Sequence, residues 1–191
     1  DVLLGSPMGL RERAEFETMI GPFVNLLVMR LDLSDDPDFA ELLHRARDAV
    51  LDAHAHRAVP FERLIERLKP VRSFDHSPPF QVAVVQHNAT SHGDLVLNSG
   101  GALHELTWFL REAGEQLRGS IEYRSDLYSR AAVERLAVQL GQVLRGAVAD
   151  RHRPVSRLPL LGGAERRRVL HDFNATTVDL DASNFARRFE R

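Results

Sequence analysis

The chain contains nine histidines, the residue type used most often for metal binding and proton transfer. His54 and His56 lie close together near the end of a predicted helix. Residues two apart on a helix point in different directions, whereas a helical metal-binding pair is usually four apart. No acidic cluster completes a ligand set. The sequence therefore predicts no metal site.

Three consecutive residues, Asp75, His76 and Ser77, have the side chains of a nucleophilic triad. Triad members come together in space from separate segments, so adjacency in sequence carries little weight. A polar turn before Pro78 and Pro79 is the favoured interpretation. The chain has no cysteine, which excludes disulfides and thiolate nucleophiles, and it has no phosphate-binding glycine motif.

An amide and a charge interrupt the apolar segment IGPFVNLLVMR, residues 20–30. Asn25 lies inside this segment and Arg30 ends it. A buried amide either hydrogen-bonds nearby backbone or lines a binding site, and for Asn25 the sequence leaves both interpretations open. For Arg30 a structural ion pair with an acid is favoured.

The composition is that of an ordinary globular protein, with 43% hydrophobic residues, 27% charged residues and a net charge of −2 over 191 residues. Such a balance gives no indication of a nucleic-acid partner. The apolar runs are too short to cross a membrane, and no secretion signal is present. We therefore expect a cytoplasmic protein without a membrane partner.

The pattern predicts several strands. Residues 23–31 are apolar on both faces, which is typical of an interior strand. Residues 1–19 are predicted to form a loop with a short helix around RERAEFETMI. Three further strands are predicted at FQVAVVQH, LHELTWFLRE and QLRGSIEYRS, the last two joined as a hairpin around Ala113 and Gly114.

Three helices complete the prediction: SDDPDFAELLHRARDAVLDAHAH with Pro37 in its first turn, VPFERLIERLKP starting at Pro60, and RAAVERLAVQLGQVLRGAVAD capped by Ser129. Together these elements predict an α+β fold over residues 1–150, a two-layer sandwich with a mixed sheet and helices on one face. Residues 151–191 are rich in Arg, Pro and Gly, and they are predicted to form a linker.

Three segments in order, GPFVNLLVMR, HRAVPFE and RSFDHSPPFQ, resemble the C-terminal signature motifs of condensation domains from nonribosomal peptide synthetases. RPVSRLPLLGGAERRRVLHDFNAT is similar to the linker between a condensation domain and the next adenylation domain. The resemblance implies that residues 1–150 are the C-terminal lobe of a condensation domain. It also implies that residues 151–191 are the linker and the start of an adenylation domain.

Condensation domains consist of two lobes, each resembling a chloramphenicol acetyltransferase subunit, with a tunnel between them. The resemblance implies that the full domain joins carrier-bound aminoacyl or peptidyl thioesters through an amide bond in antibiotic and other secondary metabolism. The paired histidines of the family belong to the N-terminal lobe, and no two histidines are adjacent here. We therefore expect no catalytic residue in this chain and no activity from the isolated lobe.

The resemblance implies site residues and partners. Candidates for lining the tunnel or the junction between the lobes are Asn25, Arg30, Arg72, Ser77 and Gln81, and the structural motif residues are Gly21, Phe23, Pro60 and Phe61. No cofactor is expected to bind directly, since the phosphopantetheine arm belongs to the carrier protein. The expected partners are the N-terminal lobe, donor and acceptor carrier proteins, and the downstream adenylation domain.

A second hypothesis is a non-catalytic module that docks a carrier protein or a tailoring enzyme. Leu26 stands where the family usually has Thr, and Arg57 and Ala58 stand where Gln and Asp are common. These departures favour the docking alternative. A free-standing acyltransferase is less favoured than either, because the chain offers no base with a supporting partner.

Overall fold

The computed structural model describes residues 1–11, 13–70, 79–87, 100–177 and 189. In these ranges the strands are β1 Val2–Gly9, β2 Val24–Leu31, β3 Val82–His87, β4 Leu106–Ala113 and β5 Gln116–Tyr123. The helices are α1 Ala14–Glu17, α2 Phe39–Ala55, α3 Phe61–Leu68, α4 Arg130–Ala149 and α5 Gly163–Leu170. Among the described helices, none has both the length and the apolar character needed to cross a membrane.

The described strands form one mixed sheet in the order β2-β1-β3-β4-β5. The pairs β1–β2 and β4–β5 are antiparallel, whereas β1–β3 and β3–β4 are parallel. In the predicted hairpin Ala113 pairs with Gln116, and Gly114 takes the positive φ of 62° that a tight turn requires. The predicted α+β fold with a mixed sheet and helices is confirmed.

Strand β1 corrects the prediction of a loop over residues 1–19, although the short helix in that region is present as α1. The loop prediction was wrong because Gly5 and Pro7 are typical of turns. Gly5 is required by a close approach, since a Cβ there would lie 2.1 Å from the ring of Phe80. Pro7 lies beyond the part of β1 that pairs with β3, so its missing N–H removes no hydrogen bond from that ladder.

Strand β2 lies at an edge of the described sheet, so the prediction of an interior strand was wrong. Asn25 and Leu27 are buried, whereas Val24 is 65% exposed. The strand is apolar on both faces for two separate reasons. It packs against α2, and it also borders the cavity described below.

Helices α2 and α3 have recognisable ends. Helix α2 begins at Phe39, two residues after the predicted Pro37, because the Asp38 carboxylate accepts a hydrogen bond from the Glu41 N–H at 2.8 Å and caps the helix. Helix α3 follows Pro60 directly, as predicted. It ends at Lys69, whose left-handed φ of 45° turns the chain out of the helix.

Ser129 caps α4 as predicted, accepting a hydrogen bond from the Ala132 N–H at 3.3 Å. The chain after α4 then packs back against this helix. Gly146 is buried beneath Pro159, and a Cβ at position 146 would lie 2.3 Å from the proline ring. Only glycine fits this contact without displacing the segment.

The same segment contacts the turn before α2. The Val155 N–H donates to the Pro37 carbonyl at 3.0 Å. The N–H and hydroxyl of Ser156 both donate to the Asp36 carboxylate, at 2.9 and 2.6 Å. Residues 151–159 therefore lie against the elements that precede them.

Candidate functional site

A cavity of about 510 Å³ opens on one face of the sheet. Ala83, Thr107 and Glu122 border it side by side, because they are paired across β3, β4 and β5. Val85 and Phe109 are also paired and lie two residues further along, on the same face. The opposite wall comes from the connection between α2 and α3.

Asn25 holds that connection against β2. Its Nδ2 donates to the carbonyls of Arg57 and Val59 at 2.8 and 2.7 Å. Its Oδ1 accepts from the backbone N–H groups of Phe61 and Leu26 at 3.1 and 3.0 Å. Both amide hydrogens and both oxygen lone pairs are therefore used inside the protein. Loop bracing, one of the two predicted roles, is present in the structure, and a role in lining a tunnel stays a prediction.

Pro60 and Phe61 shape the wall at the start of α3. The Pro60 carbonyl accepts from the Arg63 N–H at 3.0 Å, which begins the helix. The Phe61 ring packs edge-on to Phe80, with centroids 6.2 Å apart. Phe80 is buried and contacts the face of the sheet at Gly5. These contacts fix the side of the cavity nearest α3.

Leu26 and Ala58, two of the three positions that depart from the usual family pattern, border the cavity. The third, Arg57, contributes its carbonyl to the hydrogen bond from Asn25. The departures therefore fall on the cavity wall and on the loop that carries it.

Thr107 places an unsatisfied hydroxyl beside the cavity. The residue is 4% exposed, and its Oγ1 has no hydrogen-bond partner among the described residues. Buried hydroxyl groups are almost always paired, because taking them out of water without a partner costs free energy. The hydroxyl is therefore available to a ligand.

His104 and Glu122 are titratable groups that border the same cavity as this hydroxyl. Burial lowers the pKa of His104, and the negative charge of Glu122 opposes that shift. The imidazole is therefore neutral near pH 7, and one ring nitrogen is a hydrogen-bond acceptor. The ring packs 5.2 Å from that of Phe80, which orients it beside the cavity.

The remaining predicted tunnel or junction residues do not line the cavity. Arg30 is exposed and pairs with Asp1, as its structural interpretation predicted, with Nε 2.8 Å from Oδ2. Gln81 is partly buried, and its carbonyl accepts from the Leu106 N–H at 3.2 Å. Arg72 and Ser77 lie outside the described residues.

Gly21 and Phe23 belong to the segment before β2. The Phe23 ring stacks on Phe16 at 5.6 Å, and the Arg11 guanidinium lies 4.6 Å from its centre. A Cβ at Gly21 would lie 3.4 Å from the Phe23 ring, which is ordinary contact distance. Both residues serve the packing of this segment, in agreement with the structural role predicted for them.

Nothing in the sequence singled out His104, Thr107 or Glu122. Each lies in or beside a strand, and none belongs to a recognisable chemical motif. The alternation of strand residues indicated that Thr107 and Phe109 share a face, but not that β3 and β5 would complete that face. Separately, the described residues contain no group of three or more potential metal ligands.

The mixed sheet and its cavity define a chloramphenicol acetyltransferase-like α+β lobe. The family model "Condensation domain" matches residues 1–170. The chain therefore belongs to the condensation domain family of nonribosomal peptide synthetases. The general role of this family is peptide bond formation between substrates held on phosphopantetheine arms of carrier proteins.

The chain is 41% identical over 189 residues to a linear gramicidin synthase protein of Brevibacillus parabrevis, a match that covers 93% of this chain and 4% of that protein. Among solved structures it is similar to the X-domain from teicoplanin biosynthesis, with a TM-score of 0.75 and 28% identity over 84% of this chain and 40% of that chain. It is also similar to the complex of the X-domain and OxyB, with a TM-score of 0.71, 28% identity, and coverage of 84% and 38%. The chain thus spans a small part of the length of the gramicidin synthase protein.

Proposed function

We propose that this chain is the C-terminal lobe of a condensation domain and that, together with an N-terminal lobe, it forms amide bonds between carrier-bound thioesters. The observation that carries the proposal is the family match over residues 1–170, combined with a cavity open on the sheet. The alignment with 40% of the X-domain chain is consistent with one lobe of a two-lobed domain.

In the proposed reaction the amine of the acceptor attacks the carbonyl carbon of the donor thioester. A C–N bond forms, the C–S bond breaks, the pantetheine thiol leaves and the amine loses a proton. The paired histidines that would assist this proton transfer are expected in the N-terminal lobe. This lobe would supply one wall of the substrate path and would exclude water from it.

The side chains that would build this wall lie on rigid elements. The cavity is bordered by paired residues of three neighbouring strands. Its opposite side is held by the four hydrogen bonds of Asn25. Such support favours a fixed binding surface. We propose that Asn25 acts on the tunnel by positioning Phe61, while Arg30, Arg72, Ser77 and Gln81 remain candidates for the junction between the lobes.

We further propose that residues 151–191 connect the lobe to an adenylation domain. The Gly146–Pro159 contact and the hydrogen bonds of Ser156 hold the first part of this segment on the lobe. Such a docked linker would set where the next domain begins. The proposed partners are donor and acceptor carrier proteins together with the N-terminal lobe and the adenylation domain, in the cytoplasm.

The proposal is tested with a donor carrier and an acceptor carrier, each loaded with its aminoacyl group. Amide product is measured by mass spectrometry for this chain alone, for a separately produced N-terminal lobe, and for the two together. Product that forms only in the mixture supports the proposal. Absence of product from the mixture, with both carriers still bound, contradicts it.

A second candidate function is the docking of a carrier protein or a tailoring enzyme without catalysis. The observation that favours it is the similarity to the X-domain, which has been crystallised in a complex with OxyB. Binding without product in the same assay, retained when the paired histidines of the N-terminal lobe are replaced, would favour this candidate over the first.

A further inference from the structure

The charges around the cavity are negative. Glu122 borders it on β5, and Glu62 borders it at the start of α3. Among the described residues that line it, none is Lys or Arg. Two carboxylates without a neighbouring cation in the lining attract a positive group and repel an anion. The electrostatics therefore favour a cationic ligand.

Acceptor groups lie beside this negative charge. The Thr107 hydroxyl is buried and has no hydrogen-bond partner among the described residues. The imidazole of His104 is neutral because burial lowers its pKa, so it adds an acceptor without adding positive charge. A primary ammonium has three hydrogens to donate, and a carboxylate, a hydroxyl and a neutral imidazole each accept. The three side chains match that donor set.

The rest of the lining is largely hydrocarbon. Val85 and Phe109 line the sheet side, while Leu26 and Phe61 line the opposite side. A volume of about 510 Å³ lies within the range of pockets that bind small molecules. Aromatic rings also tolerate a nearby cation, because the face of the ring carries negative charge.

We infer that this cavity is a subsite for an apolar group that carries a primary ammonium, with Glu122, Thr107 and His104 receiving the ammonium and with Val85 and Phe109 contacting the hydrocarbon. Two sources of this chemistry are available in an aminoacyl substrate. One is the α-amino group next to an apolar side chain, and the other is the terminal amine of a basic side chain. The inference names the substrate class of the proposed site and rests on the proposed function only for placing the cavity on the substrate path.

The first test measures binding to the full-length protein that contains this chain, by calorimetry, with three probes of similar hydrocarbon length: hexylamine, hexan-1-ol and hexanoate. We expect hexylamine to bind about tenfold more tightly than hexanoate, because a charge-assisted hydrogen bond separates the two. Hexanoate binding as tightly as hexylamine would overturn the inference.

Variants locate the binding. Glu122→Gln should weaken hexylamine about tenfold and leave hexan-1-ol unchanged, since it removes charge but keeps size. Thr107→Val should weaken hexylamine by a smaller factor. Glu115→Gln, in the exposed hairpin turn, is the matched control and should bind like the unmodified protein. Thermal unfolding of each variant shows whether it is folded, and a folded Glu122→Gln variant with unchanged affinity for hexylamine would contradict the inference.

Two further probes distinguish the sources of the amine. Norleucine methyl ester has only the α-amine, Nα-acetyl-lysine methyl ester has only the side-chain amine, and Nα-acetylnorleucine methyl ester has neither. Tighter binding of either amine than of the third compound supports the inference and names the source. Equal binding of all three overturns it. None of these measurements uses turnover, so amide formation with failed amine binding would leave the proposed function standing and remove the inference.

Discussion

Replacing Asn25 by alanine should loosen the wall of the cavity. Asn25 donates to the carbonyls of Arg57 and Val59 and accepts from the Phe61 N–H, so three hydrogen bonds fasten the α2–α3 connection to β2. A hydrogen bond of this kind contributes about 1 kcal/mol. Asn25 is 8% exposed, so water does not readily replace these bonds. We expect Asn25→Ala to lower the free energy of unfolding by about 3 kcal/mol.

The assay is urea unfolding followed by the fluorescence of Trp108, the only tryptophan in the chain. The matched control is Asn174→Ala. Asn174 also donates twice, to the carbonyls of Val169 and Leu170 at 3.0 Å each, but it is exposed. Its replacement should change the free energy by no more than about 0.5 kcal/mol. Equal losses in the two variants would refute the argument that burial makes the Asn25 bonds decisive.

Two predictions concern the segment after α4. Gly146→Ala should destabilise the chain by about 1 to 3 kcal/mol in thermal unfolding, because the new methyl group overlaps Pro159. Gly141→Ala in the same helix meets only the end of a flexible side chain and should instead stabilise it, so a loss in both would contradict this reasoning. The side-chain and backbone hydrogen bonds of Ser156 lower the pKa of Asp36, so its contribution to docking is complete at neutral pH and is lost as pH falls through that lowered pKa. Hydrogen exchange of residues 151–157, corrected for intrinsic rates, should rise in acid, and Asp36→Asn should show raised exchange already at pH 7; exchange independent of pH would contradict the prediction.

Much of the fold could be predicted because its signals are local. The Ser129 cap, the Pro60 entry to α3 and the hairpin turn at Gly114 each depend on residues near them in sequence. The prediction was wrong for β1, where Gly5 serves a contact with Phe80 rather than a turn. That contact joins residues 75 positions apart, and no local pattern indicates it.

The candidate site was predicted in part. Asn25 was selected because an amide in an apolar strand needs partners, and its structure supplies four of them. His104, Thr107 and Glu122 were not selected, because each is an ordinary residue of its own segment. Their joint chemistry arises only from the pairing of β4 with β5 and from the fold of the chain before β4.

The sequence by itself determined the type of most elements, the α+β class and the resemblance to condensation domains, since these depend on short-range pattern and on ordered motifs. The tertiary structure alone decided that β2 lies at the edge of the described sheet, that Asn25 uses its hydrogen bonds to hold a loop, and that a buried hydroxyl lies beside a negatively charged cavity. The physical reason is the range of the interactions. Caps and turns involve neighbours a few residues apart, whereas burial, strand order and the pKa of His104 depend on groups brought together only when the whole chain is packed.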